Sequence, residues 1–524
     1  MIRSIFRHSA LLFFFLSCGP ILAADLFVPS QFATIQEAID VSIDGDRIVV
    51  SPGLYNEALT VSQRTIEITS SGGLVTINGG SETTVHSSVG FGRTLTLDGL
   101  TITNQPPPDE SQSWNGVIAG AGSLVLRNCV ITENSTGVFV SGGTGHVIEN
   151  CTVIDNEHHG AKFIGSIGTV DVRDSIFTRN FSFAGGAGLS IESTAPAPSG
   201  FVTVENCEFT ENEALLYGAG AYLSRLEEGD VSHCLFTFNL SPLGGALTVG
   251  PQQIFTATMC RFIGNEAARG GGALVDLGMP TNQATFERCL FADNSVTLSG
   301  GAISASINGG SIFLNRCTIA NNPTPLGGAV AAHGATVLVE NSIVWGNGTT
   351  FDAMAGSNTV RYSNVEGGYP GEGNIDADPQ FTDPNSGFQY SLLPTSPCID
   401  AGDPAHPSDP DGTPVDLGAI PFETVSSSSP ITLAPRFVRG DTNGDGLVDV
   451  ADPVSLLSYL FSGGPLSCPD RSDANDDGEL DVADPVRVLS FLFASGEAPA
   501  PPFPSCWWDG TVDALRCDET SGCE

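Results

Sequence analysis

Through the middle of the chain a small residue, an apolar residue two places later and an asparagine five places later recur together. The copies begin at Cys129, Cys151, Ser175, Cys207, Cys234, Cys260, Cys289, Cys317 and Ser342. Their asparagines are Asn134, Asn156, Asn180, Asn212, Asn239, Asn265, Asn294, Asn322 and Asn347, and a weaker copy sets Gly99 before Asn104. Successive copies lie 22 to 32 residues apart. Small-residue clusters follow the later ones: Gly186-Ala187, Gly218-Ala219, Gly245-Ala246, Gly272-Ala273, Gly301-Ala302 and Gly328-Ala329. A period of this length, rich in β-branched residues and glycine, predicts a parallel β-helix whose coils stack about 4.8 Å apart. The small residues would then stack inward. The asparagines would stack at a turn, bonding to one another and taking a left-handed backbone.

Other patterns bound this array. Ile35, Ala38 and Ile39 share one helical face of Thr34–Asp40, which predicts a short helix covering the raw end of the solenoid. Residues 426–436, rich in serine and proline, read as a linker. Beyond it the period becomes helical. Leu456, Leu457 and Leu460 face one way within 453–461, and Val488, Leu489 and Leu492 do so within 485–493.

Charge narrows the function. There are 59 acidic against 20 basic residues, a net charge of −39, and Lys162 is the one lysine. No basic surface can be assembled, so nucleic acid is excluded as a partner. Charged residues make up only 15% and apolar ones 41%, which excludes a disordered acidic tail. At the start, Arg3 and Arg7 precede the apolar run Leu11 to Leu22, and Ala23 and Ala24 follow. Residues 1–24 therefore read as an export leader, and no later run reaches the ~18 residues of a membrane span. The expectation is a secreted or cell-surface protein with no transmembrane segment in the mature chain. Phe15-Leu16-Ser17-Cys18 resembles a bacterial lipoprotein box, which leaves anchoring at Cys18 as the alternative. Serine replaces cysteine at Ser175 and Ser342, so the column reads as buried, reduced thiols. Cys468, Cys506, Cys517 and Cys523 read as two disulfides with no pairing assigned.

The sharpest chemical signal is a duplicated twelve-residue loop. Asp441, Asn443, Asp445, Leu447, Asp449 and Asp452 occupy positions 1, 3, 5, 7, 9 and 12, with Gly446 at position 6. Asp473, Asn475, Asp477, Glu479, Asp481 and Asp484 repeat them around Gly478. Hard oxygens at this spacing, with a carbonyl at position 7 and glycine at the turn, predict two Ca2+ sites. Each loop is followed by a predicted helix, and no helix is expected before either. Duplicated loop–helix units of this kind resemble dockerin domains, here residues 437–496. The resemblance implies a cohesin-like protein partner. Val450-Ala451 and Val482-Ala483 stand where many dockerins carry hydroxyl residues. Residues 497–524, rich in cysteine, proline and tryptophan, form a tail.

The solenoid has its own resemblances. Phe236 to Asn239 with Gly244-Gly245-Ala246-Leu247, and Phe291 to Asn294 with Gly300-Gly301-Ala302-Ile303, resemble chlamydial polymorphic outer-membrane protein repeats. The opening around Thr34–Tyr55 resembles secreted right-handed pectin-lyase-like β-helix proteins. Asp378–Phe381, Ser396–Gly402 and Asp416–Ala419 resemble a terminal segment of such proteins, read as the closing coil and cap. The fold expectation is all-β, a right-handed parallel β-helix over 25–425, then a small α-helical module. The most polar stretch of the solenoid holds Asp155, Glu157, His158, His159 and Lys162, with Asp171, Arg173 and Asp174 one coil on. Asp155, His159, Lys162 and Arg173 are the candidate catalytic residues, set against turn decoration. Arg127, Glu149, Arg173 and Glu205 read as a surface ion-pair ladder. The functional expectation is a carbohydrate- or surface-binding β-helix anchored through a calcium-dependent module. A polysaccharide lyase or glycoside hydrolase and a structural adhesin are the alternatives.

Overall fold

The computed structural model describes residues 23–422 except 105–113, 196–197, 252–253, 277, 306–308, 353–356, 383–389 and 410–411. It also describes 437–500 except 467, 479, 495 and 497, together with 503, 515 and 517. Residues 1–22 of the expected leader, the expected linker 426–436, Cys506, Cys523 and Glu479 lie outside the described residues. Two compact units emerge. One runs to Pro379 and includes Pro397–Asp409 and Thr413–Ala419; the other holds Gln380–Ser396, Pro410–Gly412 and the chain from Ile420.

The first unit is a parallel β-solenoid of three long sheets, with two short two-stranded sheets beside them. The first sheet has fourteen strands, from Asp25–Val28 to Ser357–Arg361. The second has thirteen, from Gly53–Tyr55 to Asn364–Val365, and the third twelve, from Leu59–Ser62 to Phe351–Asp352. Each coil contributes in turn, as Ser123–Arg127, Val130–Thr132 and Thr136–Gly143 do. Alternation aims one set of side chains inward, such as Leu124 and Leu126, and that set builds one continuous core. Helix α1 (Ile35–Val41) buries Ile35, Ala38 and Ile39; Thr34 caps it by accepting the Glu37 N–H at 3.1 Å.

The predicted ladders stand inside. Asn134 Nδ2 donates to Asn156 Oδ1 at 3.0 Å, and the same bond runs on through Asn180, Asn212, Asn239, Asn265, Asn294 and Asn322 to Asn347. Each acceptor oxygen also takes the backbone N–H of the asparagine below, as Asn265 Oδ1 does from Asn239 at 3.0 Å. The left-handed residue is not the asparagine but its predecessor: Glu133, Asp155, Arg179, Glu211, Phe238, Asp293 and Asn321 all have φ near +50°. The bend comes first because the asparagine must already point inward to bond along the stack. The weak early copy shifts by one as well. Thr101 pairs with Val130, so Leu100, not Gly99, aligns with Cys129.

The column cysteines are buried and unlinked. At Ser175 and Ser342 the hydroxyl accepts the N–H of the cysteine one coil earlier, both at 3.0 Å. Ser363 extends the column in the same way, taking the Ser342 N–H at 3.1 Å. Burial pushes the Cys151, Cys234 and Cys289 thiols well above the ordinary thiol range. Beside them Phe177, Phe209, Phe236, Phe262 and Phe291 stack face to face with centroids 4.6–5.0 Å apart. A left-handed glycine stands at the start of each glycine cluster or up to two residues before it. At Gly300, with φ +71°, a Cβ would lie 2.7 Å from both the Ile303 carbonyl and the Ser304 Cβ.

Residues 397–409 and 413–419 of this unit fold back along the corner between the first two sheets. Arg288 and Arg316 both pair with Asp409, at 3.1 and 3.3 Å, and Arg316 donates to His406 Nδ1 at 2.7 Å. Further along, Asn341 Oδ1 accepts the Asp403 N–H at 2.7 Å and Thr318 Oγ1 accepts that of Ala419 at 2.9 Å.

In the second unit, helices α2 (Ala451–Ser462) and α4 (Ala483–Ala494) start two residues before the predicted spans and pack together. Leu456 and Val488 are fully buried between them, while Leu457, Leu460, Leu489 and Leu492 are half-buried. A short helix α3 (Pro469–Ser472) leads into the second loop, contrary to expectation. Pro469 supplies its preset first φ. Cys468 is disulfide-bonded to Cys517.

Candidate functional site

Each C-terminal loop is organised around its first aspartate. Asp441 accepts the N–H groups of Gly444 (2.9 Å), Asp445 (3.1 Å) and Gly446 (3.1 Å). Asp473 accepts those of Asp476 (2.8 Å), Asp477 (3.3 Å) and Gly478 (2.8 Å). Asn443 and Asn475 donate to Asp445 and Asp477, at 2.9 and 2.8 Å. Asp449 and Asp481 accept from Ala451 and Ala483, at 2.7 and 2.6 Å, where the helices open. Asp452 and Asp484 turn back and accept from Asp449 and Asp481, at 2.8 and 3.0 Å. Leu447 is exposed, with its N–H on Asp445.

Asp441, Asp452, Asp473 and Asp484 are buried. Burial pushes Asp452 up to about 6 and Asp484 up to about 7, and it raises Asp441 too. The neighbouring Asp473 charge adds to the rise at Asp484. Asp484 Oδ1 is buried without a hydrogen-bond partner among the described residues. Among those residues, no three carboxylate, histidine or cysteine side chains close on a metal by themselves. Calcium does not require that, because amide and main-chain carbonyl oxygens fill much of its shell. An all-oxygen set with facing buried carboxylates and an orphaned oxygen fits a hard cation.

On the solenoid, the candidate catalytic residues are not brought to one place. Asp155 lies at the corner between the second and third sheets, in a two-point ion pair with Arg179, both contacts 2.9 Å. Arg173 lies on the first sheet and pairs with Glu149 at 3.0 Å and with Asp171. Arg127 pairs with the same Glu149 at 2.9 Å, so that part of the expected ion ladder is present. Only His159 and Lys162 meet. Lys162 Nζ donates to His159 Nε2 at 3.2 Å, and His159 Nδ1 donates to the Gly186 carbonyl at 3.0 Å. Burial, and then Lys162, lowers His159 to about 4, so the imidazole is neutral. Among the described residues no carboxylate bonds to either side chain. His158 bonds with Ser135 at 3.1 Å and sits edge-on to Phe183.

Sequence reasoning missed an apolar edge that follows the same corner. Phe183, Leu215, Leu216, Tyr217 and Leu240 are exposed there on three successive coils, and Leu298 and Leu326 on two more beyond the coil of Cys260. Bridges from Gly185 to Tyr217 and from Tyr217 to Leu243 hold the loops in register, and Tyr217 stacks on Tyr222 with centroids 5.7 Å apart. These residues fall in loops of unequal length, where no period marks them. A separate cleft of about 260 Å³ near the first coils is lined by Thr60, Glu82, Thr83, His86 and Ile118.

With this geometry in place, residues 53–241 match the family described as the right handed beta helix region. The solenoid is a right-handed parallel β-helix. A metabotropic glutamate receptor-like protein R of Dictyostelium discoideum is 27% identical over 215 residues, covering 34% of this chain. The chain spans only 13% of that protein's length. Among solved structures, the β-helix is similar to pectate lyase Pel9A at 12% identity and a TM-score of 0.38, over 76% of this chain and 96% of that one.

Proposed function

We propose that this is an exported β-helix protein that displays a carbohydrate- or surface-binding face and is held to a cohesin-like partner by a calcium-dependent, dockerin-like module. The observation that carries the reading is the duplicated loop, in which matched buried aspartates gather matched N–H groups. Matched apolar residues are exposed beside the loops: Val450, Val454 and Phe461, and again Val482, Val486 and Phe493. A partner for this face is therefore apolar in complement rather than a hydroxyl-reading one. On the β-helix, the exposed edge around Tyr217 is the binding face. Aromatic and aliphatic surface suits the apolar faces of sugar rings. Calorimetric titration of the full-length protein tests the module: two chelator-reversible calcium sites are expected, and none or one would defeat it.

A polysaccharide-cleaving enzyme is the second reading, favoured only by the His159–Lys162 contact. Co-sedimentation with insoluble polysaccharides, run beside a reducing-end assay, separates the two. Retention without new reducing ends supports binding; turnover lost in His159→Ala supports the enzyme.

A further inference from the structure

Two arginines are fully buried in the C-terminal unit, and each stands two residues before a loop: Arg439 before Asp441 and Arg471 before Asp473. The described contacts of each guanidinium reach the other loop. Arg439 reaches the second loop and the turn that enters it. Its guanidinium donates to the carbonyls of Asp470 (3.0 Å) and Asp473 (2.8 Å) and pairs with the carboxylates of Asp470 (3.3 Å) and Asp476 (2.8 Å). Arg471 reaches the first loop. It donates to the Thr442 carbonyl at 3.5 Å and is attracted by Asp441 and Asp452. It also lies so close to Gly444 that a Cβ there would come within 2.8 Å of Nη2. The main chain ties the two approaches together through Gly440 N–H to the Arg471 carbonyl, 2.7 Å.

The contacts are reciprocal but not identical. Position 4 of the second loop is Asp476, left-handed at φ +61°, whose carboxylate receives Arg439. Position 4 of the first loop is Gly444, also left-handed, and a flat guanidinium occupies the space a side chain would need. Arg439 holds a position-1 carbonyl and a position-4 carboxylate, and Arg471 a position-2 carbonyl. These are groups that a calcium loop does not use as ligands. The arginines therefore shape the loops without competing for the cation, and each adds a positive charge beside crowded carboxylates.

We propose that the loops are braced crosswise: Arg439 positions the second loop and Arg471 the first, so that the two cation sites fill together. This rests on the calcium reading above. An ion bound in one loop would fix the backbone that carries the arginine into the other. The coupling is thermodynamic and reciprocal, so each site should aid the other equally.

The test is calcium titration of full-length protein with one site disabled at a time. Asp445→Ala leaves only the second site, and Asp477→Ala only the first. In the Asp445→Ala background, Arg439→Met should weaken the remaining site by about tenfold, within the usual range of coupling between sites, and Arg471→Met should do much less. In the Asp477→Ala background the ranking should reverse. Arg439→Lys and Arg471→Lys, which keep the charge and lose the multi-point bonding, should give the same crossed ranking at smaller size if the methionine variants fail to fold. If each arginine mainly affects the loop it precedes, or both loops equally, the cross-brace is wrong while calcium binding stands. If the unmodified protein takes up no calcium, both fall.

Discussion

His159 shows how one side chain can make a solenoid sensitive to acid. Its pKa lies near 4, below the ordinary value of 6.5, because burial and Lys162 disfavour the imidazolium. The unfolded chain binds this proton more readily than the folded one. The stability tied to His159 is therefore fully present above pH 6.5 and is lost as pH falls through 4. The loss should amount to about 1–3 kcal/mol, and His159→Gln should flatten it; denaturant titrations between pH 7 and 4 would show this. Residue identity alone could not reveal it. His159 looked like an exposed turn residue in a polar run, and its partner Gly186 belongs to the next coil. The thiol column was more legible, because Ser175 and Ser342 mark what the position tolerates. Cys260→Ser should accordingly change stability by no more than about 1 kcal/mol in chemical denaturation, since a hydroxyl can accept the Cys234 N–H as Ser175 accepts that of Cys151.

Among elements, the asparagine ladder makes the opposite prediction. Asn265→Ala removes the acceptor for two groups of Asn239 and the donor to the Phe236 carbonyl, all buried. At about 1–3 kcal/mol for each unsatisfied group, the variant should lose at least about 3 kcal/mol by chemical denaturation. A loss below about 1 kcal/mol would mean that water or a neighbour replaces the amide. Ladder position was readable because Asn recurs at a fixed offset, and the position of the bend was not. The bent residues share no chemistry: Glu133, Arg179 and Phe238 all adopt the same φ, imposed by the inward turn that follows. The fold-back of 397–409 and 413–419 was hidden for a similar reason, because its anchors Arg288 and Arg316 lie far away in sequence. The crossed arginines are the same case at shorter range. Spacing marks the expected calcium ligands of each loop, but nothing local says that Arg439 reaches the second loop.

At the scale of the whole molecule, two units with separate cores should respond separately to calcium. Scanning calorimetry of the full chain should show one transition that rises with calcium and one that does not. A site filled at a hundred times its dissociation constant adds about 2.7 kcal/mol to the unit that holds it. A calcium-dependent shift of the β-helix transition would contradict this, because its core of stacked Phe, Ile and Val residues draws on no loop carboxylate.

The asparagine ladder also bears on how such a chain can change over generations. Every rung gives and takes through the same atoms, so a coil does not distinguish its original neighbour from any other. The natural unit of insertion or loss is thus a full turn. Excising residues 260–288 would bring Cys289 and Asn294 against Cys234 and Asn239 with the bonding intact, whereas removing three residues from a strand would throw every later rung out of step. Lineages of this protein are expected to differ by whole coils, like beads added to or dropped from a string.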